Sequence, residues 1–179
     1  DVALGLGVCA SAPAHPPLAG PSTAAPTPLD WRPYHLLRHQ GALSEDFVVE
    51  RYGAADVIRE LRDLGVMVAH GIDATALEET LARSGCVEPG MTPDCILFNF
   101  PHHPGKGRIQ KNRDLLRDFF KSAARLVASK PSSIIRVALA AGQGGTPIDK
   151  PRLWGDTWQV TAQAAEAGLL LCEVKPFRP

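Results

Sequence analysis

Cys95-Ile96-Leu97-Phe98-Asn99-Phe100-Pro101-His102-His103 is the stretch that decides the fold. Its first four residues are all apolar, as in a strand covered on both faces, and the polar turn after them marks where the strand ends. Downstream, Leu115, Leu116, Phe119, Phe120, Ala123, Leu126 and Val127 recur on one helical face, which predicts an amphipathic helix over residues 109–129. Ile134-Ile135-Arg136-Val137-Ala138-Leu139 reads as the next strand. Strand, long helix and strand in that order make a parallel crossover unit.

The same alternation extends both ways. Ser44 is a candidate N-cap, with Glu45 and Asp46 in a first turn that favours acidic charge. Phe47, Val48, Tyr52, Val57, Ile58, Leu61 and Leu64 follow at helical spacing, with a kink expected at Gly53 and a stop at Gly65. Val66-Met67-Val68-Ala69-His70 reads as a strand, Gly71-Ile72-Asp73 as a turn, and residues 75–83 as a short helix. Residues 142–151 form a loop. Asp156-Thr157-Trp158-Gln159 has capping-box spacing and opens a helix to Ala167, which Gly168 ends; residues 169–174 are the last strand. At the other end, Val2-Ala3-Leu4-Gly5-Leu6-Gly7-Val8-Cys9 reads as a short strand ending in glycines. The expected class is α/β, with a mainly parallel sheet in three layers.

Composition sets the outer limits. The chain has 179 residues, 45% of them hydrophobic and 21% charged, and its 19 basic residues balance 19 acidic ones. This excludes a highly basic nucleic-acid tail, an acidic disordered chain and a collagen-like repeat. No apolar run approaches the roughly 20 residues of a membrane span. The four cysteines are far apart and form no CxxC, which suits reduced core residues and not a zinc site. Seven of the 16 prolines fall in the first 33 residues, so no long helix runs there. Two regions are expected: residues 1–43, an N-terminal strand with a glycine loop and an irregular Pro-rich insertion, and residues 44–179, the α/β domain. Neither an initiator Met nor a signal peptide is present, as expected of a processed or trimmed piece.

In open α/β sheets, ligands bind beyond the carboxyl ends of the strands. Here those ends are Gly5-Leu6-Gly7, Gly71-Ile72-Asp73, Asn99 to His103, and Gly142-Gln143-Gly144-Gly145. An amide, an aromatic ring, a rigid proline and an imidazole in sequence (Asn99, Phe100, Pro101, His102) can hold a planar base and relay a proton; an ordinary solvated loop is the alternative. A metal site at His102 and His103 lacks further ligands at a suitable spacing. Asp73 can accept from a nucleoside or cap the helix after it. Gly5 and Gly7 alone are weak evidence, since a dinucleotide fingerprint needs a third glycine and a helix where Pro13, Pro16 and Pro17 intervene. Lys106, Arg108, Lys111, Arg113, Arg117, Lys121 and Arg125 face only Asp114 and Asp118 over residues 106–125. Such a stripe follows a phosphate backbone or is a solvated face with local pairing. The loop at residues 142–151, with Trp154 and Trp158 behind it, reads as a lid or substrate platform, or as plain structure.

Several of these pieces occur together in a known family. Glu50-Arg51-Tyr52, Gly71-Ile72-Asp73-Ala74-Thr75, Ile96-Leu97-Phe98-Asn99-Phe100-Pro101-His102, Lys111-Asn112-Arg113-Asp114-Leu115-Leu116, Gly142-Gln143-Gly144-Gly145-Thr146-Pro147 and Trp158-Gln159-Val160 stand in order at sensible spacing. The run from Glu45 to Phe177 resembles the 25S rRNA uridine-N3-methyltransferase-like domain family, especially the version found in ferredoxin-fold anticodon-binding domain-containing proteins. The resemblance implies a Rossmann-like methyltransferase fold, S-adenosyl-L-methionine as cofactor, no metal, and N3 of uridine in ribosomal RNA as target. It implies Asn99, Pro101 and His102 as catalytic residues, with the first two holding the base and His102 accepting the N3 proton. Gly5, Gly7, Asp73 and Asn99 would bind the cofactor, and Lys106, Arg108, Lys111, Arg113 and Arg117 the RNA. Ribosomal RNA or a ribosomal particle is the implied partner, with no membrane. An intracellular location is implied, in the nucleolus, nucleus, cytoplasm or an organelle. Two departures stand out. The family's Gly-Glu-Gly-Asn-Phe-Ser-Phe loop has only Gly5-Leu6-Gly7-Val8-Cys9-Ala10-Ser11 as its nearest equivalent. Its Tyr-Pro-Gly-Tyr and His-Arg region would lie beyond Pro179, so the C-terminal end is expected to be incomplete. The alternative implied is a catalytically inactive member serving as an RNA-binding or ribosome-associated scaffold.

Overall fold

The Ser44 hydroxyl accepts from the Phe47 amide at 3.2 Å and starts helix α1 (Glu45–Tyr52), as its position before an acidic first turn dictates. The computed structural model describes residues 4–10, 43–85, 87–88, 90–103, 109–130 and 132–177. The Pro-rich stretch expected at residues 13–32 lies outside these, as do Lys106 and Arg108. Gly53, at φ 62°, breaks the helical run completely where a kink was expected, and α2 (Ala55–Asp63) begins two residues later. Glu45 and Arg62 rejoin the two helices through paired bonds of 2.5 and 2.9 Å.

Residues 66–70, expected as a strand, join no ladder among the described residues. The Val66 amide turns back to the Leu61 carbonyl and the Gly71 amide bonds to that of Leu43, so the segment is tied at its two ends. Asp73 then caps a 3-10 turn (Ala74–Ala76) that leads into α3 (Leu77–Ser84). The Leu77 amide donates to the Ser122 hydroxyl at 2.8 Å and seats α3 on the long helix α4 (Ile109–Val127).

The sheet contains β1 (Leu4–Ala10), β2 (Cys95–Asn99), β3 (Ile134–Leu139) and β4 (Leu169–Pro176), in the spatial order β2-β3-β1-β4. β2 and β3 pair in parallel across the α4 crossover, as the sequence led one to expect. β1 is antiparallel to both β3 and β4, so the sheet is mixed: three strands point one way and β1 the other. The α/β class stands; the mainly parallel pairing does not extend past β2–β3.

The core lies on one face of this sheet. Ile96, Phe98, Ile135, Val137 and Leu139 pack against Leu115, Leu116, Phe119, Phe120, Ala123 and Val127 of α4. The Phe98 and Phe119 rings stand 4.4 Å apart. Leu97, pointing the other way, is 38% exposed, and Arg136 is exposed beside it. The third layer expected from the all-apolar β2 run is therefore not present among the described residues. That run is covered on one side only, because alternate strand residues face opposite sides and every helix in the core cluster packs on one of them.

The capping box expected at residues 156–159 does not form. A 3-10 turn (Trp154–Asp156) precedes Gln159, which sits at φ 53° without a side-chain cap, and α5 (Val160–Ala165) starts after it. The Val160 amide is satisfied by the Gly144 carbonyl at 3.0 Å, and the Trp158 amide by that of Gln143 at 2.6 Å. The loop at residues 142–150 thus does for α5 what a capping side chain would have done. Gly168, at φ 73°, ends the turn into β4. Among the described residues no helix is long and apolar enough to cross a membrane.

Candidate active site

The carboxyl end of β2 carries a strained turn. Phe100 adopts φ 49°, one of two non-glycine residues in the left-handed region among those described; the other is Gln159. A bulky residue there costs about 1–2 kcal/mol, which the surroundings must hold in place. The Phe100 amide donates to the Ala138 carbonyl at 2.8 Å, and its ring meets Phe177 edge-on at 5.1 Å, tying the end of β2 to that of β4. Asn99 is exposed, Pro101 is buried and His102 is exposed. The imidazole lies beside the indole of Trp158, with ring centres 6.0 Å apart. Trp158 is only 5% exposed, so it is a wall behind His102 and not a stacking platform. An open amide, a rigid buried proline and an open imidazole thus share one turn, a set able to hold a polar planar edge and take a proton.

The glycine loop forms the neighbouring wall. Asp149, 7% exposed, accepts from four main-chain amides: Gly142 at 2.6 Å, Gly144 at 2.9 Å, Gly145 at 3.2 Å and Lys150 at 2.7 Å. Thr157 closes the loop on the other side; a Cβ on Gly145 would lie 2.4 Å from its hydroxyl oxygen. The loop that the sequence left open between lid, platform and plain structure is held in place by a carboxylate that the sequence reading gave no role. An acidic residue following Gly142-Gln143-Gly144-Gly145 was the available signal.

Two further residues were missed or misread. Asn112 is 4% exposed, and its side-chain oxygen accepts from the His103 amide at 2.7 Å. Its place on the apolar stripe of α4, three and four residues before Leu115 and Leu116, could have marked it. Arg113 was taken for the phosphate stripe. Its guanidinium instead donates to the Thr157 carbonyl at 3.0 and 2.7 Å and to that of Gly155 at 2.7 Å. Arg117 bonds Asp114 at 2.9 Å and Asp118 at 3.1 Å, and its pairing with Asp118 first and Asp114 second raises its already high pKa. Lys111 is exposed. Arg117 thus shows the local pairing of the second reading, while Arg113 is tied to distant main-chain carbonyls and Lys111 stays exposed.

The residues chosen for a cofactor do not come together as a cradle. Gly5 lies opposite Ala138 and Lys175, and Gly7 opposite Arg136 and Glu173, so both are strand residues inside the sheet where a loop was expected. The Asp73 carboxylate accepts from the amide and the hydroxyl of Thr75, both at 2.8 Å, which makes it the helix cap its position also allowed. Of the four, Asn99 alone lies at the turn just described. As positioned, these four residues do not share one S-adenosylmethionine site, and the chemistry below runs through the base-side residues alone. Among the described residues no group of three or more His, Cys, Asp or Glu could hold a metal ion.

A cavity of about 420 Å³ opens elsewhere, toward the amino end of β2. It is lined mainly by apolar side chains, among them Ile72, Leu77, Leu81 and Leu97, together with Cys95 and Arg125. Burial pushes the Cys95 thiol up in pKa, so it is a poor nucleophile. Of the basic stripe Arg125 lines this cavity, but none of the candidate catalytic or cofactor residues does. The turn at the other end of β2 holds the polar, proton-accepting groups and remains the candidate.

Comparison with known proteins agrees with the resemblance. The family model for BMT5-like, described as rRNA (uridine-N3-)-methyltransferase BTM5-like, matches residues 40–179. The ferredoxin-fold anticodon-binding domain-containing protein 1 homolog of Mus musculus is 41% identical over 141 residues, 78% of this chain and 21% of that protein. Ferredoxin-fold anticodon-binding domain-containing protein 1 of Homo sapiens is 43% identical over 118 residues, 65% of this chain and 18% of that protein. Heavy metal-associated isoprenylated plant protein 41 of Arabidopsis thaliana is 35% identical over 94 residues, 47% of this chain and 17% of that protein. The chain thus spans about a fifth of the length of these curated relatives. No solved structure matches it significantly.

Proposed function

Since this chain belongs to the BMT5-like family of rRNA (uridine-N3-)-methyltransferases, we propose that it methylates N3 of an unpaired uridine in ribosomal RNA, with S-adenosylmethionine as the methyl donor. The observation that carries this reading is the turn after β2, where exposed Asn99 and exposed His102 flank buried Pro101 on a strained backbone.

N3 of uridine lies on the pairing edge, so the base must be unpaired or flipped out before it can react. Between its two carbonyl oxygens that edge carries one N–H. The Asn99 amide can donate to one of these oxygens, while buried Pro101 stiffens the turn that presents it. The N3 lone pair becomes available only when the N3 proton leaves, and a neutral imidazole at His102 can accept it. Trp158 behind His102 restricts where the ring can go. The protein's contribution is then orientation and proton removal, which suits a rigid turn. A ribosomal substrate implies action in the nucleolus or nucleus, where such RNA is made.

A second reading has its own support. Gly5 and Gly7 lie within β1 and Asp73 is a helix cap, which favours a member of the family that binds RNA without transferring a methyl group. Calorimetry with S-adenosylmethionine, alongside transfer of labelled methyl to ribosomal RNA, separates the two. Binding heat and label in RNA support the enzyme; RNA binding without either supports the scaffold.

A further inference from the structure

Two adjacent residues of α4 hold opposite walls of the candidate site. Asn112 reaches the turn after β2 through the His103 amide, and Arg113 reaches the turn before α5 through the carbonyls of Gly155 and Thr157. The next residue on the first wall is His102 and on the second Trp158, the pair whose rings stand 6.0 Å apart. We propose that Asn112 and Arg113 are positioning residues that together set the gap between His102 and Trp158. This rests on the reading above that a base sits at the turn after β2.

The residue types fit that task. Arg113 makes three bonds to two carbonyl oxygens on one turn, a pattern that suits a planar guanidinium with several fixed donors and that a single ammonium reproduces poorly. Asn is a weak helix former, and the burial of this one inside a 19-residue helix is balanced by the bond its side chain accepts from the His103 amide. Thr157, held by Arg113, also abuts Gly145 of the glycine loop. The Trp158 amide bonds to the Gln143 carbonyl of that loop. One turn of α4 therefore fixes the 100–103 turn, the 155–158 turn and the glycine loop against one another. The phosphate reading of Arg113 would require these bonds to be given up to RNA.

The test reads geometry and RNA binding separately. The His102 ring protons should show through-space NMR contacts with the Trp158 indole, and His102→Ala should remove them. In Arg113→Lys and in Asn112→Ala these contacts should lose most of their intensity. The salt dependence of affinity for a uridine-rich single-stranded RNA should stay as in the parent. Full-intensity contacts in both variants, or none in the parent, would overturn the proposal. A shallower salt slope with the contacts retained would return Arg113 to phosphate binding. Where the variants fold poorly, the unsubstituted chain serves: the Arg113 Nε–H, bonded to Thr157, should exchange slowly by NMR and stay slow when the RNA is added. Fast exchange in the free chain, or its onset with RNA, would count against the proposal. Absence of methyl transfer by the parent would defeat the functional reading and leave these measurements standing. Where transfer occurs, Arg113→Lys should lower kcat about tenfold with KM little changed, as expected for lost orientation.

Discussion

The Asp149 carboxylate accepts from the Gly144 amide at 2.9 Å, and the same two oxygens serve the amides of Gly142, Gly145 and Lys150. A single buried acidic side chain thus replaces the backbone partners that a tight glycine loop cannot supply for itself. Asp149→Ala leaves those amides without an acceptor. A loss of about 2–3 kcal/mol is expected, measured by urea denaturation. Asp149→Asn keeps one acceptor oxygen and should lose less.

Gly145 stands at φ 75° with the Thr157 hydroxyl where a Cβ would go. Gly145→Ala should destabilise by about 1–3 kcal/mol through strain and overlap. Gly145→Ala should cost less in a Thr157→Ala background, which lacks the hydroxyl that the new Cβ would overlap, as thermal melts of the single and double variants would report.

Phe119 is fully buried between the rings of Phe98 and Phe120, with centres at 4.4 and 5.5 Å. Phe119→Ala should cost about 3–5 kcal/mol, the upper range for a core aromatic. Leu170, exposed on the edge strand β4, should tolerate alanine with little change.

Much of this core was legible because it depends on periodicity. The β2 and β3 runs, the stripe on α4, the Ser44 cap and the turn at Gly65 are local patterns, and each formed where its pattern put it. Partners were not legible in the same way. An apolar run such as Cys95 to Phe98 does not say whether one face or two will be covered. Residues 66–70 have a strand's composition, yet nothing local specifies a neighbour to pair with. Glycine-rich β1 carries little to fix its direction. At the site, Asn99, Pro101 and His102 stood out because they are chemically unusual at a strand end. Arg113 was misread because its acceptors are main-chain carbonyls more than forty residues away. Asp149 was missed for a similar reason: its partners are amides, which every residue has.

Glu45 couples α1 to α2 through Arg62, whose guanidinium holds the Glu45 carboxyl below its usual pKa; His70, 3.6 Å away, adds a smaller pull in the same direction. A carboxyl whose folded-state pKa is depressed contributes stability above its unfolded pKa and loses it as pH falls through the folded value. The pair is solvent-exposed, so the effect is small. Parent and Glu45→Gln should differ slightly in melting temperature at neutral pH and converge as pH drops below the ordinary glutamate range. A difference that persists in acid would contradict this.

The central claim is that the turn after β2 presents a uridine for methylation at N3. Its most direct measurement incubates the chain with methyl-labelled S-adenosylmethionine and ribosomal RNA, digests the RNA to nucleosides and reads them by mass spectrometry. The account predicts labelled N3-methyluridine from the parent, none from Asn99→Ala and much less from His102→Ala, with melting temperatures unchanged. Unlabelled uridine throughout, or N3-methyluridine undiminished in both variants, would contradict it.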